Sequence, residues 1–378
     1  MPYQDALARV IDEVIEPGAA GVDATATFPR RQVEALARAG LLALTVPAAF
    51  GGGGQGLREA AHVAREIGAV CGSTAMIVTM HYAATAALVA GGAKEALAEI
   101  GAGDHLSTLA FSEFGSRSHF WAPLSTAAAE GGKVRLDARK SWVTSAGEAD
   151  SYVWSSRPVE ADGPMTLWLV RGGTDGLSVA GTFDGLGLRG NGSAPMTADG
   201  VRVPDGAIIG PDGGGLDLAL AAVLPVFLIC SAAMSTGLMR RLAEETAAHL
   251  QRTQLQHLGQ SLAQQIQPRA ELAKLQIEAD RARSLVDDTL AAVEQGRPDA
   301  QLLVLEVKAA AGESAAAAAD LALRAGGGAA FRKESPVERL FRDSRAARVM
   351  APTTASVSTP AGTCLPNGRS RACGPVTG

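Results

Sequence analysis

Apolar side chains recur every three or four residues through the first hundred positions of the chain. This spacing puts them on one face of a helix. It predicts amphipathic helices over residues 4–16, 30–41 and 56–70, followed by a more apolar helix over 73–90. We therefore expect an all-helical N-terminal domain over residues 1–105.

The pattern changes near residue 106. Short segments that alternate in polarity or are rich in β-branched residues are now separated by turns such as Gly131-Gly132 and Asp162-Gly163-Pro164. These segments predict a β-domain over residues 106–208. The strand candidates are Val134–Leu136, Ser151–Ser155, Met165–Val170, Leu177–Ala180 and Val201–Val203.

Helical periodicity returns from about residue 216. Apolar positions repeat through 269–295, and 300–325 is rich in alanine, which lets helices approach each other closely. We expect a C-terminal helical bundle over residues 215–350. The last residues, 351–378, are dominated by Ser, Thr, Pro, Gly and Arg, which predicts an irregular tail.

Composition narrows the possible classes of function. The chain has 378 residues, of which 47% are hydrophobic and 19% charged, so it can bury a sizeable core and is not a disordered chain. Its net charge of −5 gives no basic surface for nucleic acid. Its four cysteines form neither a disulfide framework nor the paired spacing of a zinc site, so we expect no metal.

One segment, Leu218–Met239, is uncharged and long enough to span a bilayer. Pro225 interrupts it, and a proline is best tolerated in the first turn of a helix. The stretch of about 15 residues that remains suits a buried bundle helix. The N-terminus also lacks the apolar region of a signal peptide. We therefore expect a cytoplasmic protein that is not inserted in a membrane.

Several short motifs follow one another in a definite order along the chain. They are Phe28-Pro29, Gly40-Leu41-Leu42, Phe50-Gly51-Gly52, Leu109–Ser118, Lys140–Ser145, Leu186–Arg189, Gly327-Gly328 and Arg342-Asp343. Together these motifs resemble the acyl-CoA dehydrogenase superfamily of flavoproteins, over residues 4 to about 354. The resemblance implies a fold that is mainly α with a central β-barrel: an N-terminal helical domain, a middle β-barrel domain and a C-terminal four-helix bundle.

The resemblance also implies a bound flavin, FAD or alternatively FMN, between the barrel and the bundle. In the family pattern Ser112 holds the pyrimidine ring, with Leu109 and Phe111 in contact with it. Trp142 covers one ring face, and Thr144 reaches the ring atom N5 with its hydroxyl. The remaining positions that the resemblance assigns to the cofactor are Ser118, Arg324, Gly327, Gly328 and Thr353.

The chain departs from the family pattern at the cofactor phosphates and at the catalytic base. Leu255 stands where the family has a diphosphate-binding Arg, and Arg324 stands where it has a Gln. Ala351 occupies the position of the usual base, a Glu that removes the α-proton of the acyl group, and an alanine cannot take a proton. The stretch 225–228, where a minority of the family carries that Glu, has no carboxylate either.

Two histidines are candidate replacements for the base. His81 lies on a predicted helix that in the family faces the substrate, and His119 follows the flavin-contacting loop. A lone histidine on an apolar helix is more often a core residue, and a histidine in a loop is often only solvated. Both therefore stand as hypotheses for catalysis.

The motifs predict an acyl-CoA dehydrogenase-like, flavin-dependent oxidoreductase that acts on an acyl thioester bound to CoA or to a carrier protein. Two alternatives also explain the missing Glu: a monooxygenase of the same superfamily that uses reduced flavin and O₂, and a non-catalytic flavin-binding subunit of a hetero-oligomer. An electron-transfer or flavin-reductase protein is an expected partner. The Ala-rich stretch 302–325 carries few charges for an outer bundle surface, so we expect a homotetramer.

Overall fold

A computed structural model describes residues 2–116 and 119–353 of the chain. The N-terminal region is helical, as the apolar spacing predicts. Its helices are α1 (Tyr3–Val10), α2 (Glu16–Thr25), α3 (Arg30–Arg38), α4 (Leu57–Val70), α5 (Gly72–Gly91) and α6 (Lys94–Ala102). Most of the predicted tail lies outside the described residues.

Two prolines lie inside continuous helices, each just beyond a π-helical turn. The turn Ile11–Ile15 joins α1 to α2 and precedes Pro17, and the turn Ala219–Val223 precedes Pro225. A π-turn widens the helix by one residue, which accommodates the ring and the missing N–H that a proline brings. The first helix therefore continues past its predicted end.

The middle region is built from short strands. They are β1 (Ser107–Ala110), β2 (Thr126–Ala129), β3 (Lys133–Val143), β4 (Ser151–Ser156), β5 (Thr166–Arg171), β6 (Leu177–Val179), β7 (Ala194–Pro204) and β8 (Ile208–Ile209). They form two four-stranded sheets, of strand order β1-β4-β5-β8 and β2-β3-β7-β6. The pair β1–β4 is parallel, and the other pairs in these sheets are antiparallel.

The predicted central β-barrel is wrong in one respect: within the described residues the two sheets do not close into a barrel. The edge strands β6 and β8 are only three and two residues long, too short to continue a ladder of hydrogen bonds around a barrel. An isolated antiparallel bridge between Glu113 and Lys140 joins the sheets instead.

The same two residues form a buried ion pair between the sheets. Lys140 of β3 and Glu113, just beyond β1, are 1% and 4% exposed, and the Lys140 Nζ lies 2.5 Å from a carboxylate oxygen of Glu113. Lys140 also donates to the Ser155 carbonyl of β4, at 2.7 Å, and the Ser125 N–H before β2 donates to Glu113, at 3.0 Å. Burial alone would raise the pKa of Glu113, but the attraction of Lys140 brings that pKa below its usual value. Both buried charges are thus paired and hydrogen-bonded.

The C-terminal region is a helical bundle that packs against α4 and α5. Its helices are α7 (Gly215–Leu218), α8 (Leu224–Arg252), α9 (Ile266–Glu294), α10 (Ala300–Ala330), α11 (Pro336–Ser344) and α12 (Ala346–Val349). By length and composition alone, α5 and the continuous helix Gly215–Arg252 could each cross a membrane. Their most apolar windows are 72% and 61% buried inside the fold, in agreement with core helices.

The Arg342-Asp343 motif ties the C-terminal helices to the other two regions. The Arg342 Nη1 lies 2.8 Å from Oδ1 of Asp23 in α2, and Arg342 also pairs with Glu338 on its own helix. Asp343 accepts a hydrogen bond from the Leu188 N–H, in the loop before β7, at 2.7 Å. Burial raises the pKa of Asp343 to about 6. This motif therefore fixes the place where the three regions meet.

Removing one charge of the buried pair should destabilise the protein far more than removing an exposed charge. Lys140→Met leaves the Glu113 carboxylate buried without its cation, and we expect a loss of about 3–5 kcal/mol in the free energy of unfolding, measured by urea denaturation. The double variant Glu113→Gln/Lys140→Met should lose less than the sum of the two single variants, because it removes both charges.

The matched control is Arg332→Met, which breaks the exposed Arg332–Glu334 ion pair. This substitution should change the free energy of unfolding by less than about 0.5 kcal/mol. Equal losses for Lys140→Met and Arg332→Met would contradict the role of the buried pair.

Candidate functional site

A cleft opens where the two sheets meet α5 and α8, and we call it the interdomain cleft. Its empty space is about 550 Å³, solvent-facing part included. Its wall is mostly apolar or aromatic and comes from well-separated stretches of the chain. The lining residues are Met80, Leu109, Phe111, Ser112, Phe120, Ser141, Trp142, Ala219, Val223, Leu224, Phe227, Ala351 and Pro352. Four of the predicted flavin contacts, Leu109, Phe111, Ser112 and Trp142, are thus brought together.

Trp142 is held in an unusual backbone conformation at the cleft. The pairing of β3 with β7 shifts register between Lys140 and Val143, and Trp142 in this bulge has a φ of +56°. A positive φ is uncommon for a bulky residue and persists only where surrounding structure enforces it. The indole is 59% exposed and stacks on Phe183, with ring centroids 3.9 Å apart. The bulge therefore turns a large aromatic surface outward at the cleft.

Two serine hydroxyls supply polar groups in this apolar wall. The Ser141 N–H donates to the Ser112 carbonyl at 2.9 Å, which fixes the two residues side by side. Among residues 2–116 and 119–353, neither side-chain hydroxyl has a hydrogen-bond partner. Each hydroxyl can therefore donate to and accept from a bound molecule.

A stripe along one helix forms another part of the wall, which the sequence pattern did not predict. Ala219, Val223 and Phe227 are four residues apart and so share one face of the helix. Met80 of α5 also lines the cleft. Helical periodicity groups these residues on a face, but it does not say which face meets the cleft.

Position 351 lies in the wall of the cleft, as the resemblance implies for the usual base. Ala351 and Pro352 both line it. Phe227, in the stretch that the resemblance gives as an alternative position of the Glu, lines it too. Among the described lining residues there is no carboxylate, imidazole or other group that can take a proton near neutral pH.

His81 is fully buried and both of its ring nitrogens are engaged by backbone groups. The Ser107 N–H donates to Nδ1 at 3.1 Å, so Nε2 carries the proton and donates to the Leu42 carbonyl at 2.9 Å. Burial lowers the pKa of His81 to about 4. The ring is thus neutral and bridges two segments, and this geometry favours a structural role over the predicted catalytic one.

His119 and Thr144 lie outside the cleft wall. His119 is exposed, its Nδ1 lies 3.0 Å from the Ser116 carbonyl, and its ring packs edge-on against Trp121 with centroids 5.0 Å apart. Thr144 is 4% exposed, and its hydroxyl lies 3.3 Å from that of Ser193. Neither residue touches the space described above, so their assigned roles stay predictions.

The predicted contacts to the far end of the cofactor also lie elsewhere. Arg324 is exposed on α10 and pairs with Glu271 of α9, at 2.9 Å. Gly327 breaks the same helix with a φ of +54°, and Gly327 and Gly328 are exposed. Thr353 directly follows the lining residue Pro352. The predicted contact Ser118 lies outside the described residues.

Comparison with protein families covers nearly the whole chain. The N-terminal domain of acyl-CoA dehydrogenase matches residues 2–100, its middle domain matches 108–201 and its C-terminal domain matches 213–356. The human short-chain specific acyl-CoA dehydrogenase, a mitochondrial protein, is 29% identical over 346 residues, which are 89% of this chain and 83% of that protein.

Two solved structures are similar to the chain along its length. Butyryl-CoA dehydrogenase from Megasphaera elsdenii superposes with a TM-score of 0.88 over 96% of this chain and 97% of that one, and at 19% identity it shows the shared fold. FkbI, for biosynthesis of the methoxymalonyl extender unit of Fk520, superposes with a TM-score of 0.84 at 26% identity, over 95% of this chain and 99% of that one.

The geometry of His81 predicts an effect on stability. His81→Ala leaves a buried N–H and a buried carbonyl without partners, each at a cost of about 1–3 kcal/mol. In the native protein, the depressed pKa makes stability fall as the pH drops from about 6.5 towards 4, because the unfolded chain binds the extra proton. We expect His81→Ala to remove that part of the pH dependence, measured by urea denaturation across this range.

His119→Ala is the control, since that side chain is exposed, and it should change the free energy of unfolding by less than about 0.5 kcal/mol. A catalytic His81 predicts instead that turnover is lost in a His81→Ala protein that remains folded.

Proposed function

The chain belongs to the acyl-CoA dehydrogenase family, and we propose that the interdomain cleft is where it holds a flavin against an acyl thioester. The protein is a flavin-dependent oxidoreductase that acts on an acyl thioester. The observation that carries the proposed site is the convergence of Trp142, Ser112 and Phe111 with position 351 on one cleft.

The residues of the cleft suit the ring system of a flavin. An outward-facing indole and apolar walls fit the faces of a flat aromatic heterocycle. The unpartnered hydroxyls of Ser112 and Ser141 fit its polar edge. When bound, the flavin supplies the acceptor for a hydride from the acyl chain. We propose FAD as the cofactor, with FMN as the alternative, because Leu255 stands where the resemblance implies a phosphate-binding Arg and because Arg324 is already paired with Glu271.

The chain's own residues exclude water and orient the two molecules, but the described wall contains no base. At position 351 a methyl group lines the cleft where the resemblance implies a carboxylate. The α-proton of the acyl group must therefore be transferred to a base that this wall does not supply. The same observation favours a second candidate, a monooxygenase that uses reduced flavin and O₂, because such a reaction does not depend on a carboxylate at position 351.

We further propose that the protein is a homotetramer located in the cytoplasm, and that an electron-transfer protein or a flavin reductase exchanges electrons with it. Ile277 of helix α9, an apolar side chain that is 57% exposed in the single chain, supports the assembly.

Anaerobic titration of the flavin-loaded protein tests the proposed function. Acyl thioesters of CoA and of a carrier protein, varied in acyl group, are added while the long-wavelength absorbance of the flavin is followed. We expect at least one acyl thioester to bleach this band. No bleaching with any of them, together with an oxygenated thioester product once reduced flavin and O₂ are supplied, would replace this function with the monooxygenase.

Restoring a carboxylate at position 351 should raise dehydrogenation. Ala351→Glu places a proton acceptor in the wall of the cleft, and general-base catalysis is typically worth about 10² to 10⁴-fold in rate. The measurement is the rate of flavin reduction by the best acyl-CoA found in the titration.

Ala351→Gln is the matched control, because its side chain has nearly the same size and shape but cannot take the proton. Its rate should stay close to that of the unmodified protein. Equal rates for the Glu and Gln variants would show that the substrate α-carbon does not lie beside this position.

A further inference from the structure

Lys308 is a buried cation beside the interdomain cleft that the proposed function leaves unused. It lies on α10 and is 1% exposed. Its Nζ donates to the carbonyl oxygen of Met350, at 2.9 Å, and to that of Pro352, at 2.7 Å. Within the part of the chain that the structure describes, no carboxylate forms an ion pair with it. The two carbonyl groups are therefore its partners.

These two carbonyls stand on either side of Ala351. Ala351 and Pro352 line the cleft, so the ammonium group binds the backbone of a segment that forms part of the wall. Hydrogen bonds from a charged donor are stronger than those between neutral groups, and exclusion of water strengthens them further. Residue 351 cannot turn away from the cleft without disturbing at least one of them.

The charge of Lys308 explains why these bonds are retained. An ammonium group without hydrogen-bond acceptors would be costly to bury. Burial lowers the pKa of Lys308 to about 8, which still leaves the charged form in the majority at neutral pH. The two carbonyl oxygens supply hydrogen-bond acceptors to the ammonium group of Lys308. The ammonium group in turn restrains the backbone at Met350 and Pro352.

We propose that Lys308 is a positioning residue, which fixes the side chain of residue 351 in the wall of the interdomain cleft by holding the carbonyls of Met350 and Pro352. The inference rests on the proposed function, because this wall belongs to the proposed flavin and acyl site. In this proposal Lys308 of α10 orients residue 351, which lies on a separate segment more than 40 residues further along the chain.

A thiol placed at residue 351 tests the inference without any need for activity. The parent protein is the full chain with Ala351→Cys, Cys364→Ser and Cys373→Ser, and its reaction with 5,5′-dithiobis(2-nitrobenzoic acid) is followed by absorbance. The remaining cysteines, Cys71 and Cys230, are buried and free, so they report any opening of the whole fold. Lys308→Met in this parent should raise the rate at residue 351 about tenfold or more, because charge-assisted bonds that keep the segment closed are lost.

The matched control is Glu313→Gln, which breaks the exposed Arg348–Glu313 pair between α10 and α12 but leaves both carbonyl contacts intact. Its rate should stay within about twofold of the parent, since exposed pairs contribute little. The inference is overturned if a folded Lys308→Met protein, in which Cys71 and Cys230 stay unreactive, does not raise the rate, or if Glu313→Gln raises it equally.

A second variant keeps the test decisive if Lys308→Met does not fold. Lys308→Gln retains an NH₂ group that can donate to a carbonyl, but without the charge. We expect its rate at residue 351 to exceed that of the parent while Cys71 and Cys230 stay unreactive. A rate no higher than that of the parent, or equally fast reaction of Cys71 and Cys230, would contradict the proposed anchor.

A kinetic measurement separates positioning from general stability. In the Ala351→Glu protein, adding Lys308→Met should lower kcat by about tenfold while KM changes by less than about twofold, because a misaimed carboxylate affects the proton transfer more than binding. If Ala351→Glu gains no activity, the proposed function is at fault, and the thiol rates still decide the inference.

Discussion

A carboxylate and an ammonium group lose much of their solvation when they are buried, and only close pairing with further hydrogen bonds compensates for that loss. Glu113 and Lys140 meet this constraint at the junction of the two sheets, where each charge also bonds to a strand or segment of the opposite sheet. The residues of the cleft lie directly beside them in the chain. Ser112 precedes Glu113, and Ser141 and Trp142 follow Lys140. The position of the buried pair therefore sets the position of the polar and aromatic wall of the cleft.

The cleft exists because three regions of the chain meet there. A separate set of hydrogen bonds or ion pairs holds each contact between regions. Arg342 binds Asp23 of the N-terminal region, and Asp343 accepts from Leu188 of the middle region. Lys308 of the C-terminal region binds the carbonyls of Met350 and Pro352, in the segment that lines the cleft at residue 351. None of these anchors reaches into the cleft itself. They leave its wall free to be apolar, with a few hydroxyls, which suits a flat heterocycle and an acyl chain.

Local periodicity was sufficient to predict most helices and several strands, because each depends on neighbours within a few residues. The resemblance based on the order of the motifs was also sufficient to predict that Leu109, Phe111, Ser112 and Trp142 contribute to one site. Closure of the barrel was not predictable, since it depends on the lengths of β6 and β8 at the sheet edges. The environment of His81 was equally hidden: its partners, Leu42 and Ser107, are 39 and 26 residues away in the chain. Helical periodicity places Ala219, Val223 and Phe227 on one face of a helix, but only the tertiary packing shows that this face lines the cleft.

We propose that one cleft, built on the junction of the two sheets and lined by the segment at residue 351, holds the flavin. A crystal structure of the protein with its flavin bound would locate the ring system. We expect the ring system to contact Trp142 and the Ser112 hydroxyl, with residue 351 in the same cavity. A flavin bound away from Trp142 and Ser112, or with residue 351 outside its cavity, would contradict it.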